Sequence, residues 1–269
     1  MRCRRHGPRM AEGAIEVIGG VEGLGQENGP LFAVIGVFDG IHLGHRYLLG
    51  RLVEEARARS ARPTVITFDS HPDEILVGAA PPLLLDPAER RRMLGEAGVE
   101  VVVVQHFDAA LRSTEYDDFV HRITSRTPLA GLLMTPDAAF GHDRRGTPDA
   151  VRELGERDGF DLVVAPPFAL NERSVRSSDV RTAIAVGDFA AAQRLLGRPY
   201  AVVGEVGADG TLRFDMPVAH PPAGPYPVSV KGEPARLFVD REGTMRLARG
   251  KAWSRGQRLS VEFADRESR

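Results

Sequence analysis

The sequence predicts an α/β fold, a parallel sheet covered by helices on both faces, followed by a small all-β unit. Three observations carry that prediction. From Leu31 onward, short continuous apolar runs alternate with amphipathic stretches of helical period. After Tyr200 the apolar stretches turn short and glycine and proline become frequent, in the rhythm of hairpins. The chain has 269 residues, enough for a sizeable core, and the last part, about 70 residues with few apolar anchors, is expected to lean on the first.

The elements follow in order. Residues 1–30 are rich in glycine and charge without a clear apolar period, and are read as a loose leader. The fragment GLGQENG within it lacks the third glycine of a dinucleotide loop and no strand clearly precedes it. LFAVIGV is a buried strand. After Gly44, residues Leu48, Leu49, Leu52, Val53 and Ala56 share one helical face. TVITF is the second strand, Asp86 to Ala97 a charged helix, and VEVVVV the third strand. Thr114 and Asp117 form a capping box for a helix running to about Ser125. LAGLLM is the fourth strand. Thr147, with Pro148 at the first helical position, opens another helix, and FDLVVA is the fifth strand. Short helices start near Ser177 and near Asp188, the second stopping at Gly197 with Pro199 beyond it. The hairpin strands are AVVGEV, TLRF, YPVSV, ARLFVD, TMRLA and LSVEF. The domains expected are therefore 31–199 and 200–269.

Composition excludes several classes. With 35 basic and 37 acidic residues the net charge is -2, without the basic excess of a global nucleic-acid or membrane-surface binder. The single cysteine, Cys3, rules out an internal disulfide and a multi-thiolate zinc site. No apolar run reaches membrane-spanning length, and the basic start MRCRRHGPRM has no apolar signal segment, so a cytoplasmic protein is expected. Its oligomeric state is not legible.

In parallel sheets of this kind ligands bind at the carboxyl ends of the strands. The first such loop is Gly36-Val37-Phe38-Asp39-Gly40-Ile41-His42-Leu43-Gly44-His45. Gly36, Gly40 and Gly44 allow close backbone approach to a ligand, and the helix N-terminus beyond favours phosphate. His42 and His45 are spaced to converge there, and an imidazolium donates strongly to phosphate oxygens. A turn with two surface histidines is the plain alternative. Zinc would need a third ligand of similar quality, which the sequence does not advertise.

This loop resembles the G-x-F-D-G-x-H-x-G-H motif of bacterial FAD synthases, the adenylyltransferase module of the bifunctional riboflavin kinase/FMN adenylyltransferase family. The resemblance runs from about Leu31 to Tyr200. TFDSHP, DAAFGHDRRG, VRSSDVR and GDFAAAQRLLGRPY are similar to the family's T-F-x-P-H-P, D-F-x-F-G-x-x-R-x-G, I-S-S-T-x-I-R and domain-closing segments. It implies a Rossmann-like nucleotidyltransferase fold and transfer of AMP from ATP to FMN with release of pyrophosphate, with Mg2+ on the triphosphate.

By this resemblance His42, His45 and Arg181 are catalytic, and Gly36, Phe38, Asp39, Gly40, Gly44, Ser177 and Ser178 bind the ATP phosphates. His71, Asp137, Phe140 and Arg144 face FMN. Each assignment has a plainer counterpart. Asp39 either meets the nucleotide or orients the loop and its histidines. His71 either reaches the phosphates or shapes the turn before Pro72. Ser177, Ser178 and Arg181 either cradle phosphate or form a serine cap beside a solvated arginine. Arg144 and Arg145 either meet the nucleotide or lie solvated in a loop. Phe38 and Phe140 either line a ring pocket or pack in the core. Glu115, Asp117 and Asp118 read as a helix start, not a metal site.

The chain also departs from the family pattern. Val37 stands where asparagine is usual, Thr135 and Pro136 replace a Gly-acid pair, Ala138 and Ala139 replace a phenylalanine and its polar neighbour, and Arg176 replaces a serine. These changes put the acceptor in question more than the reaction, so another phosphorylated acceptor is the rival reading. A noncatalytic flavin- or nucleotide-binding regulator is the second rival. In the β unit Met216-Pro217-Val218-Ala219-His220 stands where the kinase has G-x-P-T-A-N. Val218 cannot supply a hydroxyl oxygen and His220 is a poor substitute for an amide oxygen at magnesium. The kinase's catalytic glutamate falls at about Thr244. A reduced, inactive riboflavin-kinase-like barrel is expected.

Overall fold

A computed structural model describes residues 15–170, 173–248 and 253–264. Residues 1–14 of the expected leader, with Cys3, lie outside the described residues. Strands β1 (Glu16–Gly19), β2 (Leu31–Ile35), β3 (Arg62–Phe68), β4 (Val101–Gln105), β5 (Leu129–Met134) and β6 (Asp161–Val164) form one parallel sheet in the order β1-β4-β3-β2-β5-β6. Between them run α1 (Leu43–Ala58), the short α2 (Asp73–Leu76), α3 (Pro87–Glu96), the short α4 (Ala109–Arg112), α5 (Tyr116–Thr124) and α6 (Pro148–Asp158).

The apolar runs take these positions because strands buried on both faces need no alternation. In β2, Leu31 and Ala33 face one core with Phe119, Ile123 and Leu154 of α5 and α6. Phe32 and Val34 face the other, with Leu49, Leu52 and Ala56 of α1 and Leu94 of α3. Caps fix the helix starts. The Asp86 carboxylate accepts from the Ala88 and Glu89 amides, and the Thr147 hydroxyl from the Ala150 amide. Gly159 ends α6 at φ 83°.

Two expectations need correction. From residue 16 the leader is not loose: Glu16–Gly19 pairs in parallel with Val101–Val104, which completes the sheet edge. The Thr114–Asp117 capping box is not formed. The Thr114 hydroxyl donates to the Ala110 carbonyl at 2.9 Å, and α5 begins at Tyr116 without a side-chain cap.

A short hairpin, β7 (Ala169–Leu170) with β8 (Arg173–Ser174), leads into α7 (Ser177–Ala185) and α8 (Phe189–Leu196). The remaining strands are β9 (Ala201–Val206), β10 (Leu212–Arg213), β11 (Gly224–Val230), β12 (Glu233–Val239), β13 (Met245–Leu247) and β14 (Arg258–Phe263). They form an antiparallel sheet in the order β10-β9-β14-β11-β12-β13. Its two ends meet through a Thr211–Arg246 bridge and a hydrogen bond from the Leu247 amide to the Gly210 carbonyl at 3.0 Å, so it curls into a near-closed barrel.

The third core does not divide at residue 199. Val180, Ile184, Phe189 and Leu196 of α7 and α8 pack with Tyr200, Tyr226, Val261 and Phe263 of the barrel. The Phe189 and Phe263 rings stack 4.6 Å apart. Among the described residues no helix is long and apolar enough to cross a membrane.

Candidate functional site

The strand order makes β2 the point where the sheet reverses. β3 and β4 follow on one side of it, β5 and β6 on the other. The crevice at such a switch point is where open α/β sheets bind ligands. The histidine loop leaves β2 there and enters α1.

The loop is tightly constrained. Phe38 and Ile41 hold φ of 53° and 37°, a region that costs a non-glycine residue about 1–3 kcal/mol and must be held by its surroundings. Three residues hold it. Arg198 donates to the Gly40 carbonyl at 2.7 Å and the Ile41 carbonyl at 3.2 Å. Arg90, in α3, donates to the Val37 and Phe68 carbonyls, each at 3.1 Å. Asp39 is 2% exposed and accepts the Leu84 amide and Arg181 Nη2, the latter at 2.5 Å. Burial lowers Arg198 to a pKa of about 10. Neither Arg198 nor Arg90 stood out in the sequence, because their acceptors are backbone carbonyls far along the chain.

His42 is the N-cap of α1. Its Nδ1 accepts the His45 amide at 3.2 Å, which leaves the proton of the neutral ring on Nε2. The His42 and His45 rings stack 3.7 Å apart, and Phe38, 2% exposed, tilts against His45 at 5.1 Å. A Cβ on Gly44 would lie 3.2 Å from the His42 ring and 3.3 Å from the Val175 carbonyl, so glycine permits both the ring and the approach of the segment before α7. Burial lowers His42 to a pKa of about 4 and His45 well below its ordinary value. Without a ligand the pair is therefore neutral, not the imidazolium pair expected from sequence. His45 Nδ1 is buried without a partner, a polar atom left for a bound group to satisfy.

Ser177 and Arg181 arrive from α7. The Ser177 hydroxyl donates to the Asp39 carbonyl at 2.9 Å, so the serine–arginine segment lies directly against the histidine loop. The N-cap of α7 is Arg176 rather than a serine, and the Arg176 amide donates to the Asp179 carboxylate at 3.1 Å. Ser178 sits in the first turn. Arg181 Nε donates to the Pro82 carbonyl at 2.8 Å and its Nη2 to Asp39, so these two donors tie protein together. Asp39 correspondingly faces Leu84 and Arg181 as an orienting group. Burial raises its pKa against the pull of Arg181 and the Leu84 amide.

His71 follows β3. Its Nδ1 accepts the Asp73 amide at 3.2 Å, which shapes the turn before α2, and it feels the charges of Arg181, Asp39 and Arg90. Burial lowers its pKa.

After β5 the chain lines an open cleft of about 620 Å³ with Asp137, Ala138, Ala139, Arg144 and Arg152. Asp137 accepts the Thr135 hydroxyl at 2.8 Å, and Arg144 donates to the Asp137 carbonyl at 3.2 Å. Phe140 packs edge-on to Phe119, 6.2 Å away, against the sheet's core. Arg145 pairs with Glu115, and Asp117 and Asp118 occupy the first turn of α5. Among the described residues no three histidine, cysteine or carboxylate side chains converge as metal ligands, and Asp39 is already engaged. The magnesium implied by the resemblance finds no side-chain cage here.

The profile of the FAD synthetase family matches residues 25–179. The bifunctional riboflavin kinase/FMN adenylyltransferase of Pseudomonas fluorescens is 34% identical over 193 residues, 71% of this chain and 62% of that protein. The chain thus spans less than two thirds of that relative. The protein of the same name from Escherichia coli (strain K12) is 31% identical over 224 residues, covering 81% of this chain and 71% of its own length. A crystal structure described as a macrolide-efflux protein from Streptococcus pneumoniae has a TM-score of 0.76 at 24% identity, covering 94% of this chain and 90% of that one, a likeness of fold.

Proposed function

The chain belongs to the FAD synthetase family, and from that premise we propose that it is an FMN adenylyltransferase, transferring AMP from ATP to FMN. The observation that carries this reading is the meeting of the loop that bears the stacked His42–His45 pair with Ser177 of α7 at the β2 switch point.

In this reading an FMN phosphate oxygen attacks the α-phosphorus of ATP in line. The bond from that phosphorus to the bridging oxygen breaks, pyrophosphate leaves, and FAD carries the new phosphoanhydride. No bond to the protein forms, so the chain's task is positioning and charge stabilisation. His42 offers Nε2–H to a phosphate oxygen from a fixed ring, and His45 lies stacked beside it. A docked triphosphate supplies negative charge that strengthens the bond from His42 Nε2–H and favours a proton on His45, whose Nδ1 has no protein partner. Ser178 and the first amides of α7, that of Ser177 included, receive the remaining phosphate oxygens, while the Ser177 hydroxyl holds α7 against the loop. Magnesium is taken to arrive with the nucleotide, since no described side-chain set is built to hold it. The cleft after β5, with Arg144 on its wall, receives the flavin phosphate. Residues 31–199 carry this chemistry.

Riboflavin kinase activity is absent in this reading. Val218 lacks the hydroxyl oxygen, and the main chain of Pro217 and Ala219 is bonded to Leu83. Purified protein with ATP, magnesium and FMN should yield FAD and pyrophosphate, while riboflavin with ATP yields no FMN. Pyrophosphate release with a different phosphorylated acceptor but not with FMN would favour the rival acceptor. Nucleotide binding without any release would favour a regulator.

A further inference from the structure

We propose that the C-terminal barrel is a positioning element of the transfer site, acting through a strut formed by Pro82, Leu83 and Leu84. This rests on the transferase reading above. The strut is bonded on opposite sides by alternating peptide groups, as an extended chain allows. Toward the barrel, the Leu83 amide donates to the Pro217 carbonyl at 2.8 Å and the Leu83 carbonyl accepts the Ala219 amide at 2.9 Å. Toward the site, the Leu84 amide donates to the Asp39 carboxylate at 3.0 Å and the Pro82 carbonyl accepts Arg181 Nε at 2.8 Å.

The barrel end of the strut is itself fixed. The buried Tyr200 hydroxyl donates to the Ala219 carbonyl at 2.5 Å. Arg258 of β14 pairs with Asp86, two residues beyond Leu84. The site end reaches both phosphate-facing segments: Asp39 lies in the histidine loop, and Arg181 lies on α7 with Ser177. Because α7 is packed into the barrel's core while the histidine loop hangs from the parallel sheet, the two halves of the site belong to different cores. The strut sets the distance between them. These bonds are main-chain on the barrel side, so they survive the side-chain replacements that remove kinase chemistry from Met216–His220.

Tyr200→Phe in the full chain tests this, because it removes one hydroxyl from the strut's anchor and leaves the ring in place. Arg246→Ala is the control, since Arg246 closes the barrel at its seam with Thr211 and bonds no strut residue among those described. Pyrophosphate release with ATP and FMN, and hydrogen exchange of the Leu84 amide, are measured on both. Tyr200→Phe should slow turnover roughly three- to tenfold, the span of one buried hydrogen bond. It should also speed Leu84 exchange, with β2 and β5 amides unchanged. Arg246→Ala should leave both readouts at wild-type values. Wild-type turnover and Leu84 exchange in Tyr200→Phe, or an equal loss of turnover in Arg246→Ala, would overturn the strut. Absence of pyrophosphate release from the wild-type protein would sink the transferase reading instead, while the exchange measurement would still report on the strut.

Discussion

The Asp39 carboxylate lies 2.5 Å from the Arg181 guanidinium, joining residues 142 positions apart in a place where Asp39 is 2% exposed. Removing one partner of a buried ion pair strands the other. Asp39→Ala leaves Arg181 without its anion and the Leu84 amide without its acceptor, and should cost about 3 kcal/mol of stability. Denaturant unfolding measures this. A loss below about 1 kcal/mol, the size of a surface pair, would contradict it.

His42 both caps α1 and presents an imidazole. Asparagine caps a helix well but carries no ring. His42→Asn should therefore keep a melting temperature near wild type while transfer falls about a hundredfold or more. A steady-state assay beside a thermal melt separates the two roles. Retained turnover would remove His42 from the site.

The depressed histidines give stability a pH dependence of definite sign. With His42 near 4 in the fold and near its ordinary value when unfolded, the unfolded chain takes the proton first as pH falls. Stability is complete above about pH 6.5 and falls between there and about pH 4, by roughly 3 kcal/mol from His42 alone. His45, also lowered, adds in the same direction. Unfolding curves at pH 7 and pH 5 should show the loss, and His42→Asn should flatten it.

Gly40 holds φ at 84°, and a Cβ there would lie 3.0 Å and 3.2 Å from Leu84 side-chain atoms. Gly40→Ala should cost about 1–2 kcal/mol and displace the strut-side wall of the loop. A thermal melt together with turnover reads both effects. An unchanged melt would mean that the loop relaxes freely.

Arg144 stands on the wall of the cleft after β5. Arg144→Ala should raise the KM for FMN about tenfold and leave the KM for ATP unchanged, as loss of a charged contact to the acceptor phosphate requires. Equal rises in both would move Arg144 out of the acceptor site.

The sheet was legible because its strands are continuous apolar runs and its helices carry their own caps. Asp86, Thr147, Asp188 and Gly197 each mark a boundary through a local bond or turn. β1 was not, since EVIG is four residues long and finds its partner in β4, across most of the sheet's sequence. Arg198 and Arg90 were illegible for a related reason: they grip carbonyls, which leave no mark in the sequence, and Arg198 does so across 158 positions. The histidine loop and the Ser177 segment were recognisable as motifs. Sequence could not show that Arg181 bonds Asp39 and Pro82, or that burial lowers the pKa of both imidazoles. Those facts depend on what surrounds each group after folding.

The shared core of α7, α8 and the barrel has a practical bearing on how this chain can be cut. Ending it at residue 199 would not release a self-contained catalytic half. It would bare Val180, Ile184, Phe189 and Leu196 to water and unseat the helix that brings Ser177 to the histidine loop. The barrel is thus the floor on which α7 and α8 rest.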